Sequence, residues 1–401
     1  MPPRRLRPVP ALLVVLVVLV VLGAPRTAAA QRQDDPAPAV PIDSAAGCDG
    51  TQVREVRVDT QRPEFRGTLA RWRRIARALG LHHTTTREEI VRRFVTLDPD
   101  RPCTEFRRAE SERILRTQPY LASATVRTRP HDDGGTLVDV QTVDESAAII
   151  GGHLRRGRLA GVSLGNENLF GLGVRLEAEV EQGFAYRDGM GLSFTHHQLF
   201  GKPYTLTLEG RRRPVGEEWR AEAGHAFLTD LQRIAWHAGI RGRHDYLGLR
   251  RLERDETTLP VRHRRFDVGG VLRFGPPGRL GLLGGIVTGE RVRPEAAVIV
   301  TDSGFVRPPA DGAALAYRPF DATRVNVVAG VRALRFRTAR GLDALTAEQD
   351  IARGLQVGLI AGRALRALGS SEEDLLLGGD LFLGLGGPWS YVAMRVEGEG
   401  R

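Results

Sequence analysis

The chain has 401 residues, enough for more than one folded unit, and a formal net charge of +10. This charge does not indicate a nucleic-acid surface, because Lys202 is the only lysine and the arginines are scattered rather than clustered with aromatic residues. The 47 glycines and the low aromatic content of 6% favour many turns and closely packed strands.

The first thirty residues have the features of a secretory signal. Three arginines precede the apolar run 11–22, and small residues at 28–30 offer a cleavage site. The run is shorter than the roughly twenty residues that a membrane-spanning helix needs. We therefore predict a signal peptide over 1–30 and, from its Pro, Ala and Asp content, a disordered leader over 31–47.

The two cysteines, Cys48 and Cys103, are 55 residues apart. In an exported protein an even pair favours a disulfide. A structural zinc site takes four ligands, so two lone cysteines argue against a metal. We predict a disulfide and neither a metal nor a cofactor.

Residues 48–145 have the pattern of a small α+β unit. Apolar residues alternate in three segments and recur at helical spacing in three others, and Thr86-x-x-Glu89 has the form of a capping box. The predicted strands are Val53–Val58, Leu121–Arg129 and Thr136–Val143, and the predicted helices are Thr68–Leu79, one that follows Thr86, and Thr104–Arg116 with Thr104 as its cap.

The remaining residues, 146–401, predict ten to twelve strands of the length that a tilted membrane strand needs, about ten residues. Their side chains alternate between an apolar and a charged face. The apolar stripe includes Val174, Leu176, Val180, Tyr204, Leu206, Leu208, Val325, Val327 and Val331. The charged stripe includes Arg175, Glu177, Glu179, Glu209, Arg332, Arg395 and Glu397. A soluble sheet and a membrane β-barrel both show this alternation, and the export signal favours the barrel.

Two stretches carry a resemblance to a known family. GNENLFGLG, a strand and then HHQLFGKPYTLTL resemble the opening of barrels in the bacterial surface antigen superfamily, the BamA/TamA-type outer-membrane assembly family. The residues of this barrel-start motif are Asn166, Asn168, Leu169, Phe170, Gly171 and Gly173. The segment ERILRTQPYLASATVRT, a glycine-containing turn and LVDVQTVDE resemble a POTRA domain, which precedes the barrel in that family.

The resemblance implies an α+β periplasmic POTRA-like domain over 48–145 and an all-β antiparallel transmembrane β-barrel over 146–401. It implies a non-enzymatic protein of the bacterial outer membrane, with its N-terminal domain in the periplasm, that assists insertion or translocation of other proteins. Expected partners are outer-membrane lipids, unfolded client proteins, and periplasmic or lipoprotein partners, without nucleic acid.

Clients of such domains add a strand to a sheet edge. The candidate edge here is Leu121, Ala122, Ser123, Ala124, Thr125, Val126 and Arg127. The alternative for this segment is an ordinary strand whose edge is blunted by its arginines.

The family also carries an R-G-F/Y motif on a loop that folds into the barrel. Arg340, Gly341 and Leu342 form the nearest match, which lacks the aromatic residue, so a simple glycine turn stays open.

Two alternatives for the whole chain also stay open. One is a passive channel or structural barrel whose periplasmic domain tethers partners, and the other is a secreted accessory protein or adhesin with a soluble β region. The predicted strands are fewer than in a barrel of the family, and no terminal aromatic residue precedes Arg401. We therefore expect C-terminal strands to be missing from this sequence, and a small, differently closed barrel stays open as the alternative.

Overall fold

The structure is a computed structural model that describes residues 48–63, 84–155, 157–183, 187–248, 257–301, 304–306, 318–340, 348–386 and 390–400. The predicted signal peptide, the leader and the helix Thr68–Leu79 lie outside these residues.

The N-terminal unit is a four-stranded mixed sheet with two described helices. The strands are β1 (Asp49–Gln61), β2 (Pro102–Thr104), β3 (Leu121–Pro130) and β4 (Thr136–Asp144), and the helices are α1 (Glu88–Arg92) and α2 (Glu105–Arg116). The spatial order is β2-β1-β4-β3, with β1 parallel to β4 and β3 antiparallel to β4. The predicted strands and the helix ending at Arg116 are confirmed.

The core of this unit lies between the sheet and its helices. Val53, Val91, Leu115, Tyr120 and Val138 are almost completely buried. The predicted disulfide between Cys48 and Cys103 is present and joins the start of β1 to β2. Closing a loop of this length stabilises a fold by about 4 kcal/mol on the chain-entropy account.

The two helix starts differ from each other. Thr104 caps α2 as predicted, because its hydroxyl oxygen accepts from the Arg107 N–H at 3.3 Å. The predicted capping box of α1 is wrong. The N-cap is Arg87 without a side-chain bond, and the Thr86 hydroxyl instead donates to Asp144 at 2.7 Å. The buried Asp144 carboxylate needs hydrogen-bond donors, and Thr86 supplies them instead of capping α1.

The second unit is a 15-stranded antiparallel sheet. Its strands are β5 (Ala148–Arg155), β6 (Arg158–Asn166), β7 (Val174–Glu181), β8 (Gly189–His196), β9 (Thr205–Arg212), β10 (Glu217–His225), β11 (Ile234–Gly248), β12 (Thr257–Phe274), β13 (Leu280–Pro294), β14 (Val298–Thr301), β15 (Gly304–Val306), β16 (Phe320–Arg340), β17 (Glu348–Ala364), β18 (Leu375–Gly386) and β19 (Tyr391–Gly400). Each strand from β5 to β13 pairs with the next one along the chain, β13 pairs with β16, and the order then continues to β19. The short strands β14 and β15 lie off this path, with β14 paired to β12 and β15 paired to β14. The predicted fold class is confirmed, and the predicted number of strands was too low.

The two faces of this sheet differ in chemistry. On one face, here called the outer face, large apolar side chains such as Val180, Leu192 and Val327 are more than half exposed. On the opposite face, here called the inner face, opposite charges pair across neighbouring strands, as between Arg220 and Glu209 at 2.6 Å. The predicted alternation is therefore present, with an apolar surface that water does not favour.

One end of the sheet, here called the domain-side rim, faces the N-terminal unit. It consists of the β6–β7 turn (167–173), the β8–β9 turn (197–204), the β10–β11 turn (226–233) and the β12–β13 turn (275–279). In the part of the chain that the structure describes, no helix is long and apolar enough to cross a membrane.

Candidate functional site

The predicted client strand is an edge strand of the N-terminal sheet. β3 pairs with β4 on one side and ends the strand order on the other. Leu121, Ala124 and Val126 are buried, whereas Arg127 is exposed. Among the described strands, the side of β3 away from β4 has no strand partner, and the client-strand assignment stays a prediction.

Side chains of α2 already occupy part of this edge. Arg108 donates from Nη1 to the Val126 carbonyl at 2.7 Å, and the Val126 N–H donates to Glu112 Oε2 at 3.2 Å. Arg108 and Glu112 also bond each other at 2.8 Å. This Arg108–Glu112 pair satisfies the two main-chain groups that a paired strand would otherwise satisfy.

The same helix connects the edge to the large sheet. Glu112 accepts a further bond from Arg116, and Arg116 makes a two-pronged contact with Asp350 of β17 at 2.9 and 3.0 Å. The side chains of Arg116 and Asp350 are only 7% and 6% exposed. A continuous chain of charged hydrogen bonds therefore runs from the β3 edge to a strand of the large sheet.

A second buried ion pair fastens α2 to the domain-side rim. Glu110 and Arg113 bond each other at 2.8 Å, Arg113 also donates to the Leu228 carbonyl, and the Asp230 N–H donates to Glu110 at 3.1 Å. Burial alone would raise the pKa of Glu110, but the bonds from Arg113 and Asp230 outweigh it and hold that pKa below its usual value. The Arg113 guanidinium also lies 4.5 Å from the ring centroid of Phe336 on β16.

The barrel-start motif forms the other half of the junction. Asn168 is buried, donates from Nδ2 to Thr86 Oγ1 at 2.7 Å, and accepts the Gly173 N–H at 2.8 Å. Asn166 in turn accepts the Asn168 N–H at 2.8 Å. The Thr86 hydroxyl in turn donates a hydrogen bond to Asp144 Oδ1, so the motif residues complete a buried polar chain that ends in the N-terminal unit.

The glycines of the motif permit the close approach of the two units. Gly171 has φ 71°, and a Cβ there would stand 2.2 Å from the Thr85 carbonyl oxygen. Gly173 has φ 65° and lies against the ring of Tyr120, where burial raises the pKa of the phenol. Leu169 and Phe170, which precede these glycines, form the tip of the turn, and Phe170 is exposed.

A second turn, within the HHQLFGKPYTLTL stretch, has the same design, and the sequence prediction did not recognise the two turns as equivalent. Gln198-Leu199-Phe200-Gly201 lies in the β8–β9 turn. The buried Gln198 donates to the Ile90 carbonyl at 2.6 Å and accepts from Arg93 at 3.3 Å. The repeated Leu-Phe-Gly, each time after an amide residue, was the signal in the sequence.

Four residues of the predicted charged stripe come together on the inner face. Arg175, Glu177, Glu179 and Glu209 line a cavity of about 890 Å³ that also contains further arginines from β9 to β12. The other three lie elsewhere. Arg332 is near Phe336 beneath the N-terminal unit, and Arg395 contacts Glu397 at 2.8 Å on β19.

The weak loop motif is only partly visible. Arg340 is the last residue of β16, and Gly341 and Leu342 lie outside the described residues. The assignment of this motif stays a prediction.

Comparisons with known proteins give similarity in structure only. No family model matches the chain, and no curated protein matches it. Among solved structures, BamA from Haemophilus ducreyi lacking POTRA domains 1–3 is similar at 11% identity and a TM-score of 0.35, over 86% of this chain and 54% of that one.

Two further solved structures are similar, both named CdiB. The one from Acinetobacter baumannii has 8% identity and a TM-score of 0.27, over 88% of this chain and 74% of that one. The one from Escherichia coli has 11% identity and a TM-score of 0.30, over 88% and 77%. This chain spans about half the length of the BamA structure, and we base its function on its own geometry.

Proposed function

We propose that this chain is an outer-membrane β-barrel protein of the BamA/TamA type, which assists insertion or translocation of other proteins. The observation that carries the proposal is the connection from the β3 sheet edge, through α2, to a strand of the large sheet. Such a connection suits a protein that receives a chain at one place and acts on it at another.

Membrane residence is supported by the two faces of the large sheet. Apolar side chains that are more than half exposed occupy the outer face over most of its strands. Water disfavours a surface of this kind, whereas acyl chains would cover it. The paired charges of the inner face suit a wet or plugged interior.

The chemistry at the edge needs no bond to be made or broken. An unfolded client in extended conformation would hydrogen-bond to the main chain of β3, with little demand on its sequence. At Val126 the client would have to replace Arg108 and Glu112. Both side chains are charged and partly exposed, so water can accept them once they are released.

The second candidate is a passive channel whose domain only tethers partners. It explains the two faces of the sheet equally well. It does not explain why the edge strand is linked to Asp350 through buried ion pairs, and we therefore prefer the active role.

Site-specific crosslinking tests the proposal. A photoreactive residue at Arg127, beside the open edge, should capture an unfolded outer-membrane protein offered to the full chain in vesicles. The same residue at Arg57 on β1, an interior strand, is the matched control. Equal capture at both positions would remove the support for client binding at β3.

A further inference from the structure

We propose that Phe170 and Phe200 form a lipid-contact site, in which two equivalent turns hold aromatic rings in the phospholipid interface at the domain-side rim. The inference rests on the proposed membrane location of the large sheet and adds a surface that this location alone does not require.

The two phenylalanines share an unusual backbone conformation. Phe170 has φ 56° and ψ 18°, and Phe200 has φ 57° and ψ 29°. Within the described residues, Asp100 is the one other non-glycine residue with positive φ. The left-handed region is unfavourable for a residue with a side chain, so the surrounding structure must hold both turns in this conformation.

Each turn is anchored to the N-terminal unit by the residues on both sides of its Leu-Phe pair. The amides of Asn168 and Gln198 are buried against the N-terminal unit, and a Cβ at Gly171 or Gly201 would point at the same unit. As whole residues, Phe170 is 62% exposed and Phe200 is 86% exposed. They contribute little to the core, and removing each apolar side chain from water would be favourable.

The chemistry beside Phe200 identifies the partner as a membrane interface. Tyr204 lies at the start of the apolar outer face, with the rings of Trp236 and His225 at 5.5 and 5.1 Å. The Lys202 ammonium is 5.8 Å from the Tyr204 ring. Aromatic rings and a cation at the border of an apolar face are typical of the headgroup level of a bilayer, and Lys202 and Arg93 would attract anionic headgroups.

Depth-dependent fluorescence quenching tests the inference. In a background with Trp72, Trp219, Trp236 and Trp389 replaced by Phe, single variants Phe170→Trp and Phe200→Trp are reconstituted in phosphatidylethanolamine–phosphatidylglycerol vesicles. We expect emission to fall by about twofold or more when the acyl chains carry bromine near the headgroup, because a tryptophan at that level lies within reach of the quencher. Heat-dependent gel migration shows that each variant is folded.

Two controls separate this inference from the function on which it rests. A variant that keeps only Trp219, on the outer face, should be quenched, and Phe106→Trp on α2 should not. Quenching at Trp219 without quenching at either turn would overturn the lipid-contact site alone. Absence of quenching at Trp219 as well would overturn the membrane location and both proposals with it.

Discussion

The ion pair between Arg116 and Asp350 gives the sharpest prediction, because it joins the N-terminal unit to the large sheet and is almost fully buried. Replacing Arg116 by Met keeps most of its apolar volume but leaves the Asp350 carboxylate without its two bonds at 2.9 and 3.0 Å. Breaking a buried pair from one side costs about 3–5 kcal/mol. We expect a loss of this size in the free energy of docking between the two units.

A double-mutant cycle measures the interaction directly. Arg116→Met, Asp350→Leu and the double variant are compared by denaturant unfolding in detergent and by hydrogen exchange of α2. The double variant should be more stable than either single variant, because no uncompensated charge remains buried. Arg57→Ala, which removes an exposed pair with Glu55, is the matched control and should leave exchange of α2 unchanged. A coupling energy near zero would refute the buried connection from the edge to β17.

Three further predictions concern the edge and the junction. Arg108→Ala should free the Val126 carbonyl and raise the affinity for an extended client peptide by at least about tenfold, measured by fluorescence anisotropy, because one charged hydrogen bond of about 1.5–3 kcal/mol no longer competes. Gly171→Ala should destabilise the junction by more than about 2 kcal/mol in denaturant unfolding, because φ is 71° and the Thr85 carbonyl occupies the space. Burial lowers the pKa of His197 from 6.5 to about 4, so protons bind more readily to the unfolded state. The junction should therefore lose up to about 3 kcal/mol as the pH falls from 6.5 to about 4, a loss that His197→Gln removes.

Each of these predictions has a matched comparison. Arg129→Ala removes an arginine from β3 itself without touching the Val126 main chain, and an equal gain in affinity would point to charge alone. Gly157→Ala has a similar positive φ of 76° with no atom near the added Cβ, so it isolates the backbone cost. For His197, an unchanged pH profile in the glutamine variant would contradict the assignment.

Local patterns in the sequence determined much of the fold. The alternation in β7 and β16 predicted the strands and both faces of the large sheet, because neighbouring side chains in a strand point to opposite sides. Thr104 predicted the start of α2, and the even cysteine pair predicted the disulfide. These features depend on a few adjacent residues or on simple counting.

The tertiary structure alone decided the junction and the occupancy of the edge. Thr86 has the sequence of a helix cap, yet its hydroxyl is taken by Asp144, 58 residues away. Arg116 meets Asp350 across 234 residues. The sequence predicted β3 as an exposed client edge, whereas α2 packs beside it and bonds the Val126 main chain. Which charged side chains meet depends on how whole elements pack, and a local pattern carries no information about partners that only folding brings together.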